Sequence, residues 1–515
     1  MLDLAKLKAP PEHGQVLVAP GPAECAAAAR ANAKQLRRLG RPLAGARLAQ
    51  WREQTRRRVV GTDEAMVIAV GHQPEFFHPG VWAKHIAAVR LARVLDGRAV
   101  NLVVDNDAVH RTVLPVPSVR RDGVRIENVR FLPSGNGLAY EQIPAQGRDG
   151  LGPFRSAVQH AMGNRFEASL MPAFLDGLDE ATGQSDWVEQ MLFARRRAEA
   201  DLSVRVGDRR VSGLWMDPFV ADILLNAARF AGSYNRALAS YRSEFGVRGA
   251  NQPIPDLEVD PVRCETPFWI LRGDQPRRRL LVEANADAIH LYAEGNRVGS
   301  VPRGSLEEGR VGEAICLCDG WQIRPRALAL TIWARLFLAD LFIHGLGGAR
   351  YDRISDGIIA DYYGVEPPAY ACVTATLWLD LPRTDVTDRT IGALRRGLRE
   401  MMFNPQRRLS PAPDIEPLLA QRAAAVERSR RLREADPGDH AARRRAFETI
   451  RRANSAMLAV RPEALSEWRR RLETGLDELR RNRLARSREY FFALYGRDRL
   501  QELLEALPAD RDFRV

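Results

Sequence analysis

Between Gly71 and His85 the chain gathers three histidines and a lysine, in the run Gly71-His72-Gln73-Pro74-Glu75-Phe76-Phe77-His78-Pro79-Gly80-Val81-Trp82-Ala83-Lys84-His85. Asp105-Asn106-Asp107 and His110 follow. An imidazole and free backbone N–H groups ahead of a helix suit the charge of a phosphate. Two carboxylates two residues apart suit a substrate amine, or Mg²⁺ beside ATP. His72, Asp105 and Asp107 are therefore the candidates for catalysis, with Gly71, His72, Gln73 and Lys84 as candidate nucleotide contacts. His78 and His110 are candidate substrate contacts, whereas His85 falls inside the helix and reads as a packing residue. Lys84 is one of only four lysines, with Lys6, Lys8 and Lys34, and would meet a phosphate as a point charge. Each has a plainer reading: His72 bonded to its own loop, a strand-end Asp capping a turn, Lys84 on a solvated helix face. The set lacks the ligand spacing of a zinc helix, so no transition-metal site is expected.

The elements that must hold these groups are legible around them. The apolar run Ala65 to Val70 reads as a buried strand that stops at Gly71. A helix begins near Pro79, where proline loses no intrahelical hydrogen bond. Its Trp82, Ile86 and Val89 share a stripe, with Val81, Ala88, Leu91 and Leu95 beside it. A second strand, Val100 to Val104, closes a strand–helix–strand unit with polar groups at the carboxyl ends of both strands. Open parallel sheets bind their ligands at that edge.

A second block of candidates lies far downstream. Ala327 to Ile343 reads as a buried helix running into His344-Gly345-Leu346-Gly347-Gly348-Ala349-Arg350-Tyr351-Asp352. Gly347 and Gly348 at a helix start can form an anion-binding concavity, and Arg324 and Arg326 can meet a carboxylate or phosphate in bidentate fashion. Tyr351 and Asp352 open the next helix on the same side and complete the candidate substrate contacts. Cys316 and Cys318 read as buried small residues and not as a redox pair.

Composition bounds the class. The 515 residues are 45% hydrophobic and 28% charged, as in globular proteins. Five scattered cysteines and no N-terminal stretch with a signal-peptide pattern point to reduced thiols in the cytoplasm. The window Ala327 to Ile343 contains Arg335 and Asp340, which argues against a membrane span. The net charge is +12, and residues 391–515, with 28 Arg against 19 Asp plus Glu, carry +9 of it. Acids interleave with arginine there, as in Glu467-Trp468-Arg469-Arg470-Arg471-Leu472-Glu473, and few aromatics are available for base stacking. The pattern is that of a solvated helical face; nucleic-acid binding is the rival reading.

Five segments follow. Residues 1–64 form a helical segment packed on the core and 65–115 the first half of a Rossmann-like core. Residues 116–265 are an inserted hairpin, turning at Asp122-Gly123, with a helical connection that includes the loop Asn251-Gln252-Pro253. Residues 266–386 are the second half of the core, and 387–515 an Arg-rich helical region.

In order and local pattern, the chain from about residue 60 to 500 resembles the bacillithiol-biosynthesis cysteine-adding enzymes. The resemblance rests on Gly71-His72-Gln73 after a strand, the acidic cluster with His110, and Arg324-Pro325 ahead of an apolar helix. It continues through Gly347-Gly348, Tyr363-Gly364-Val365 with Pro367-Pro368, and Asn404-Pro405 before the long helices. The family carries Gln where this chain has His72, and Pro74 is a further departure. The resemblance implies an α/β fold with a nucleotidyltransferase-type parallel sheet, an inserted segment, and a C-terminal coiled coil that makes a homodimer. It also implies ATP-dependent ligation of cysteine or another amine to a small acceptor. A shorter likeness over about 70–110, carried by His72-Gln73-Pro74 and Lys84, is to a glycan-biosynthesis family and implies a nucleotide-dependent transferase as the alternative.

Overall fold

The computed structural model describes residues 7–121, 123–132, 135–202, 204–249, 252–312, 316–317 (backbone only) and 320–514. Lys6, Asp122 of the expected turn, Asn251, and Cys318 with the Cys316 side chain lie outside the described residues. The chain forms two compact units. The first runs to Val116, resumes over Glu127–Leu379 and returns from Arg488 onward; the second takes Pro117–Ile126 and Asp380–Ser487.

The first unit is mixed α/β and holds two six-stranded sheets. One has the order Val16–Ala19, Tyr370–Ala375, Leu341–His344, Val67–His72, Arg98–Val103, Gly207–Arg210. All its neighbours are parallel except the first pair. Val67, Ile68, Ala69 and Val70 are completely buried, the continuous apolar run of a parallel strand covered on both faces. The second sheet is antiparallel, in the order Cys316–Leu317, Asn296–Pro302, Ala288–Ala293, Gln275–Ala284, Cys264–Arg272, Gln322–Pro325. One core joins the two sheets: Ala69 and Leu102 of the first, Phe268 and Ile270 of the second, and Phe219 and Phe230 from the helices Asp217–Leu225 and Ala227–Glu244. Among the described residues no helix is long and apolar enough to cross a membrane.

Four sequence expectations need correction. The stretch Ala327 to Ile343 is not one helix: helix Ala327–Trp333 passes through a wide turn, Ala334–Leu338, into strand Leu341–His344. A short apolar run fits strand and helix periodicity equally, and tertiary pairing decides. Asp340 receives the Val67 N–H (2.7 Å) and starts the parallel register Leu341↔Ile68. Second, Gly207–Arg210 lies inside the expected insertion 116–265 yet is an edge strand of the parallel sheet. Its polar residues are held by ion pairs, Arg195–Asp208 (2.7 Å) and Arg210–Asp105 (2.8 Å). Third, much of the segment 266–386 builds the antiparallel sheet, and the parallel one receives only Leu341–His344 and Tyr370–Ala375 from it. Fourth, the last long helix ends at Ala485. The chain then returns to the first unit, where Phe491 and Phe492 pack on Phe77.

The second unit is mainly helical: Asp388–Phe403, Glu416–Ala435, His440–Val460 and Pro462–Ala485. Glu416–Ala435 packs against His440–Val460, and Asp388–Phe403 against Pro462–Ala485. Gly397 sets the closeness of the latter pair, since a Cβ there would lie 2.3 Å from the Trp468 ring. Several of its arginines hold acids one turn away, as in Arg431–Glu427 (3.1 Å) and Arg471–Glu467 (2.7 Å), the solvated-face pattern.

Candidate functional site

Two crossovers leave the middle of the parallel sheet in opposite directions. Strand Val67–His72 leads through helix Pro79–Val94 to Arg98–Val103; strand Leu341–His344 leads through helix Leu346–Ile358 to Tyr370–Ala375 on the other side. The two starting strands are neighbours, so their carboxyl ends part and leave a crevice, as at the switch point of any doubly wound sheet. A cavity of about 730 Å³ occupies it. The cavity brings together Gly71, His72, Gln73, His78, Lys84 and Asp107 from the first block with Arg326, Gly347, Gly348 and Tyr351 from the second.

The two helix N-termini at the crevice differ. On Pro79–Val94, His78 Nδ1 accepts the Gly80 N–H (3.0 Å), and the His78 carbonyl accepts from Val81 (2.9 Å). Proline supplies no donor, so this end has nothing left for an anion. The His78 ring is spent as a cap, and burial with Arg488 nearby drives its pKa down to about 3. Helix Leu346–Ile358 starts at Gly345 with no side-chain cap, and its first-turn N–H groups have no partner within the helix. Gly345, Leu346, Gly347 and Gly348 line the cavity. Gly348 is needed as glycine, because a Cβ there would lie 2.8 Å from Nδ1 of His344.

Lys84 reaches the same place. Its side chain is 4% exposed, its Cδ lies 3.9 Å from a Cβ built on Gly345, and its Nζ donates to the Gly71 carbonyl (3.0 Å). Among the described residues no carboxylate pairs with it. Burial lowers its pKa from 10.5 to about 8. A buried cation with no counter-ion beside an open helix terminus is a strong electrostatic demand for an anion.

His72 is not a cation. Its Nδ1 lies 3.0 Å from the Gln73 carbonyl, which can only accept, so Nδ1 carries the proton and Nε2 presents a lone pair. Burial first, then Lys84, lowers its pKa to about 3. A neutral ring with a lone pair at Nε2 does not supply the positive charge that the sequence reading gave it, whereas Lys84 and Gly345–Gly348 line the same cavity. We expect the His72 ring to stay neutral down to pH 5 in the folded protein. Ring ¹⁵N shifts followed by NMR across pH 5–8 check this; titration near 6.5 would contradict it.

The acids separate. Asp105 is completely buried, does not line the cavity, and is held by Arg210 Nε (2.8 Å) and the Ser212 N–H (2.9 Å). Asp107 lines the cavity; its Oδ1 accepts from Arg277 (2.6 Å) and its Oδ2 from Gln73 (2.9 Å). His110 stays outside, with a side chain 65% exposed. Arg324 is bound in fork geometry to Glu141 (2.9 and 2.8 Å) and also lies outside the lining. Arg326 lines the cavity, bound to Glu265 (2.6 Å) and stacked on Trp269 (4.2 Å). Tyr351 is on the wall and half exposed, while Asp352 lies behind it, 2% exposed and paired with Arg335 (2.8 Å) and His344 (2.9 Å).

Sequence reasoning passed over four groups on the wall. His344 and Arg488 end or follow elements whose boundaries were misread. Trp269 and Arg277 come from the antiparallel sheet, with Arg277 also over the Trp269 ring (4.4 Å). Only a contact across the fold could have flagged them. The wall also carries apolar Val81, Leu102, Leu328 and Leu330, and among the described residues the buried Asn106 Oδ1 has no hydrogen-bond partner. Among the described residues no group of three or more His, Cys, Asp or Glu side chains could hold a metal ion. The chain matches no protein family's sequence profile and no curated protein.

Proposed function

We propose that this protein is a cytoplasmic ATP-dependent ligase with a Rossmann-like, nucleotidyltransferase-type core, joining cysteine or another amine-bearing small molecule to a small acceptor. One observation carries the nucleotide part: the buried, unpaired Lys84 converges with the uncapped Gly345–Gly348 helix start at the switch-point cavity. These residues fit a polyphosphate, and the apolar wall fits the organic part of a nucleotide. Bound ATP supplies a phosphoanhydride for activating the acceptor. The chain's part is to bind and orient: Lys84 and the first-turn N–H groups hold phosphate charge, while Asp107 and the unpartnered Asn106 Oδ1 offer acceptors to an amine. The carboxylates do not fit a protein-held Mg²⁺, since Asp105 is spent on Arg210 and Ser212 and lies outside the cavity.

Calorimetry with Mg-ATP tests the reading. Saturable binding that weakens in Gly348→Ala is expected, and no saturable binding to the wild type would overturn it. Amino-acid-dependent consumption of ATP then separates a ligase from the alternative, a nucleotide-dependent transferase of glycan or peptide synthesis. The i,i+4 ion pairs of the helical unit weigh against the third reading, a nucleic-acid adaptor, whose affinity for random RNA should fall steeply with salt. Homodimerisation through that unit belongs to the preferred reading; exposed Phe403 and Phe447 support it, and sedimentation equilibrium tests it.

A further inference from the structure

His344 ends the strand Leu341–His344 and lines the cavity beside the open helix start. Its Nε2 lies 2.9 Å from Asp352 Oδ2. A carboxylate only accepts, so the proton sits on Nε2 and Nδ1 is the nitrogen left for other work. Nδ1 is turned toward Gly348 in the first turn, 2.8 Å from where a Cβ would be, and among the described residues it makes no hydrogen bond. Phe342 and Tyr370 flank the ring, with centroids at 4.5 and 5.3 Å. An acid therefore orients an imidazole and aims its second nitrogen at the first turn of the uncapped helix. His72 differs, because its Nδ1 is bound to a backbone carbonyl and no acid stands behind it. His78 differs too, since its Nδ1 is spent as a helix cap.

We propose that His344, held by Asp352, is the proton-carrying residue of this site and places a proton from Nδ1 on a bound polyphosphate. The proposal rests on the reading that the cavity takes phosphate. The groups around the ring determine the direction of the effect. The Asp352 carboxylate behind the ring is shared with Arg335 (2.8 Å), which also holds Asp356 (2.7 Å). Tyr370 and Cys372 face it from the neighbouring strand as neutral groups. Lys84 and the helix start oppose a further positive charge in the empty cavity. A polyphosphate neutralises both of those and accepts a hydrogen bond from Nδ1–H. Anion binding and protonation of His344 are thus coupled, each strengthening the other. The charged ring is then placed for general-acid work. As an oxygen of the acceptor bonds to phosphorus, the P–O bond to the leaving group breaks, its electron pair stays on the leaving oxygen, that oxygen takes the Nδ1 proton, and His344 is left neutral.

The test is calorimetry of inorganic pyrophosphate binding near pH 7.5, in two buffers of different ionisation enthalpy. Wild type is expected to bind with net uptake of part of a proton. In His344→Gln the uptake should fall, leaving the part that Lys84 takes from its pKa of about 8, and affinity should fall roughly tenfold, the loss of one charge-assisted hydrogen bond. In His72→Gln the uptake should persist. Within the wild type alone, the ring ¹⁵N shifts of His344 should move to imidazolium values on adding pyrophosphate, which keeps the test independent of whether a variant folds. Binding without proton uptake, or uptake undiminished in a folded His344→Gln, overturns the proposal and leaves the phosphate site standing. Absence of pyrophosphate binding to wild type overturns both.

Discussion

Replacing Lys84 by methionine is expected to make the ligand-free protein more stable while removing most of its affinity for polyphosphate. The ammonium is buried in the wall and donates to the Gly71 carbonyl (3.0 Å), and among the described residues it has no acidic partner. Its pKa falls from 10.5 to about 8 because burial disfavours the charge. That gap corresponds to a penalty of about 3 kcal/mol on the folded state at neutral pH. A folded-state pKa below the unfolded one means the penalty is complete below about pH 8 and is relieved as pH rises toward 10.5. Wild type should therefore gain stability across that window relative to Lys84→Met, which has no such group. Methionine keeps the length of the stem and suits the apolar surroundings. Urea denaturation of both proteins at pH 7 and pH 10 measures the difference, and pyrophosphate titration measures the affinity, expected to drop by at least tenfold. A variant that is less stable at pH 7 yet binds normally would remove the argument for an anion site. The trade is the usual one at functional sites, where a group unfavourable to the fold is kept for its ligand.

Asp340→Ala is expected to cost about 3–5 kcal/mol, the range for removing one partner of a buried ion pair. Asp340 joins the helix Leu48–Val60 to the parallel sheet. Its Oδ1 accepts from Arg52 (2.7 Å) and Arg56 (3.0 Å), and its Oδ2 from Arg56 (3.0 Å) and the Val67 N–H (2.7 Å). The paired side chains are 2–3% exposed, so alanine would strand two guanidiniums out of reach of water. Burial already holds the Arg52 pKa down to about 10, with Asp340 working against that fall. The contrast is Asp477, whose partner Arg480 is 75% exposed; Asp477→Ala should change stability by no more than about 1 kcal/mol. Chemical denaturation of the two variants side by side decides the matter. Equal, small losses would mean that the Asp340 cluster is solvated in solution.

How much of this was legible in the sequence follows from how local each signal is. Val67–His72, Pro79–Val94 and Arg98–Val103 were readable because one local pattern specifies each: an unbroken apolar run, a proline at the first helical turn with a 3.6-residue stripe, and a second run at the right distance. The helices of the second unit were readable for the same reason, with Pro and Gly punctuation between them. Gly347-Gly348 could be placed at a helix start because glycines ahead of an apolar-periodic run have a local physical meaning. Strand Leu341–His344 was not readable: four apolar-leaning residues fit either period, and only pairing with Val67–His72 and the Asp340 cluster makes them a strand. Gly207–Arg210 was hidden by its polarity, which an edge position and two buried ion pairs accommodate.

The site shows the same division. From residue types alone came a phosphate-directed reading of Gly71, Lys84, Gly347 and Gly348, and the choice of sheet edge. Types could not say that Asp105 and Arg324 are consumed by Arg210 and Glu141, because those partners lie more than a hundred residues away in the chain. Nor could they distinguish the capped helix end at His78 from the open one at Gly345, or show that Lys84 is left without an acid. Local pattern and backbone preference therefore determine which elements form and which residues have the right chemistry. Charge pairing, burial and the orientation of each ring nitrogen depend on neighbours remote in sequence, and only the tertiary structure decides those.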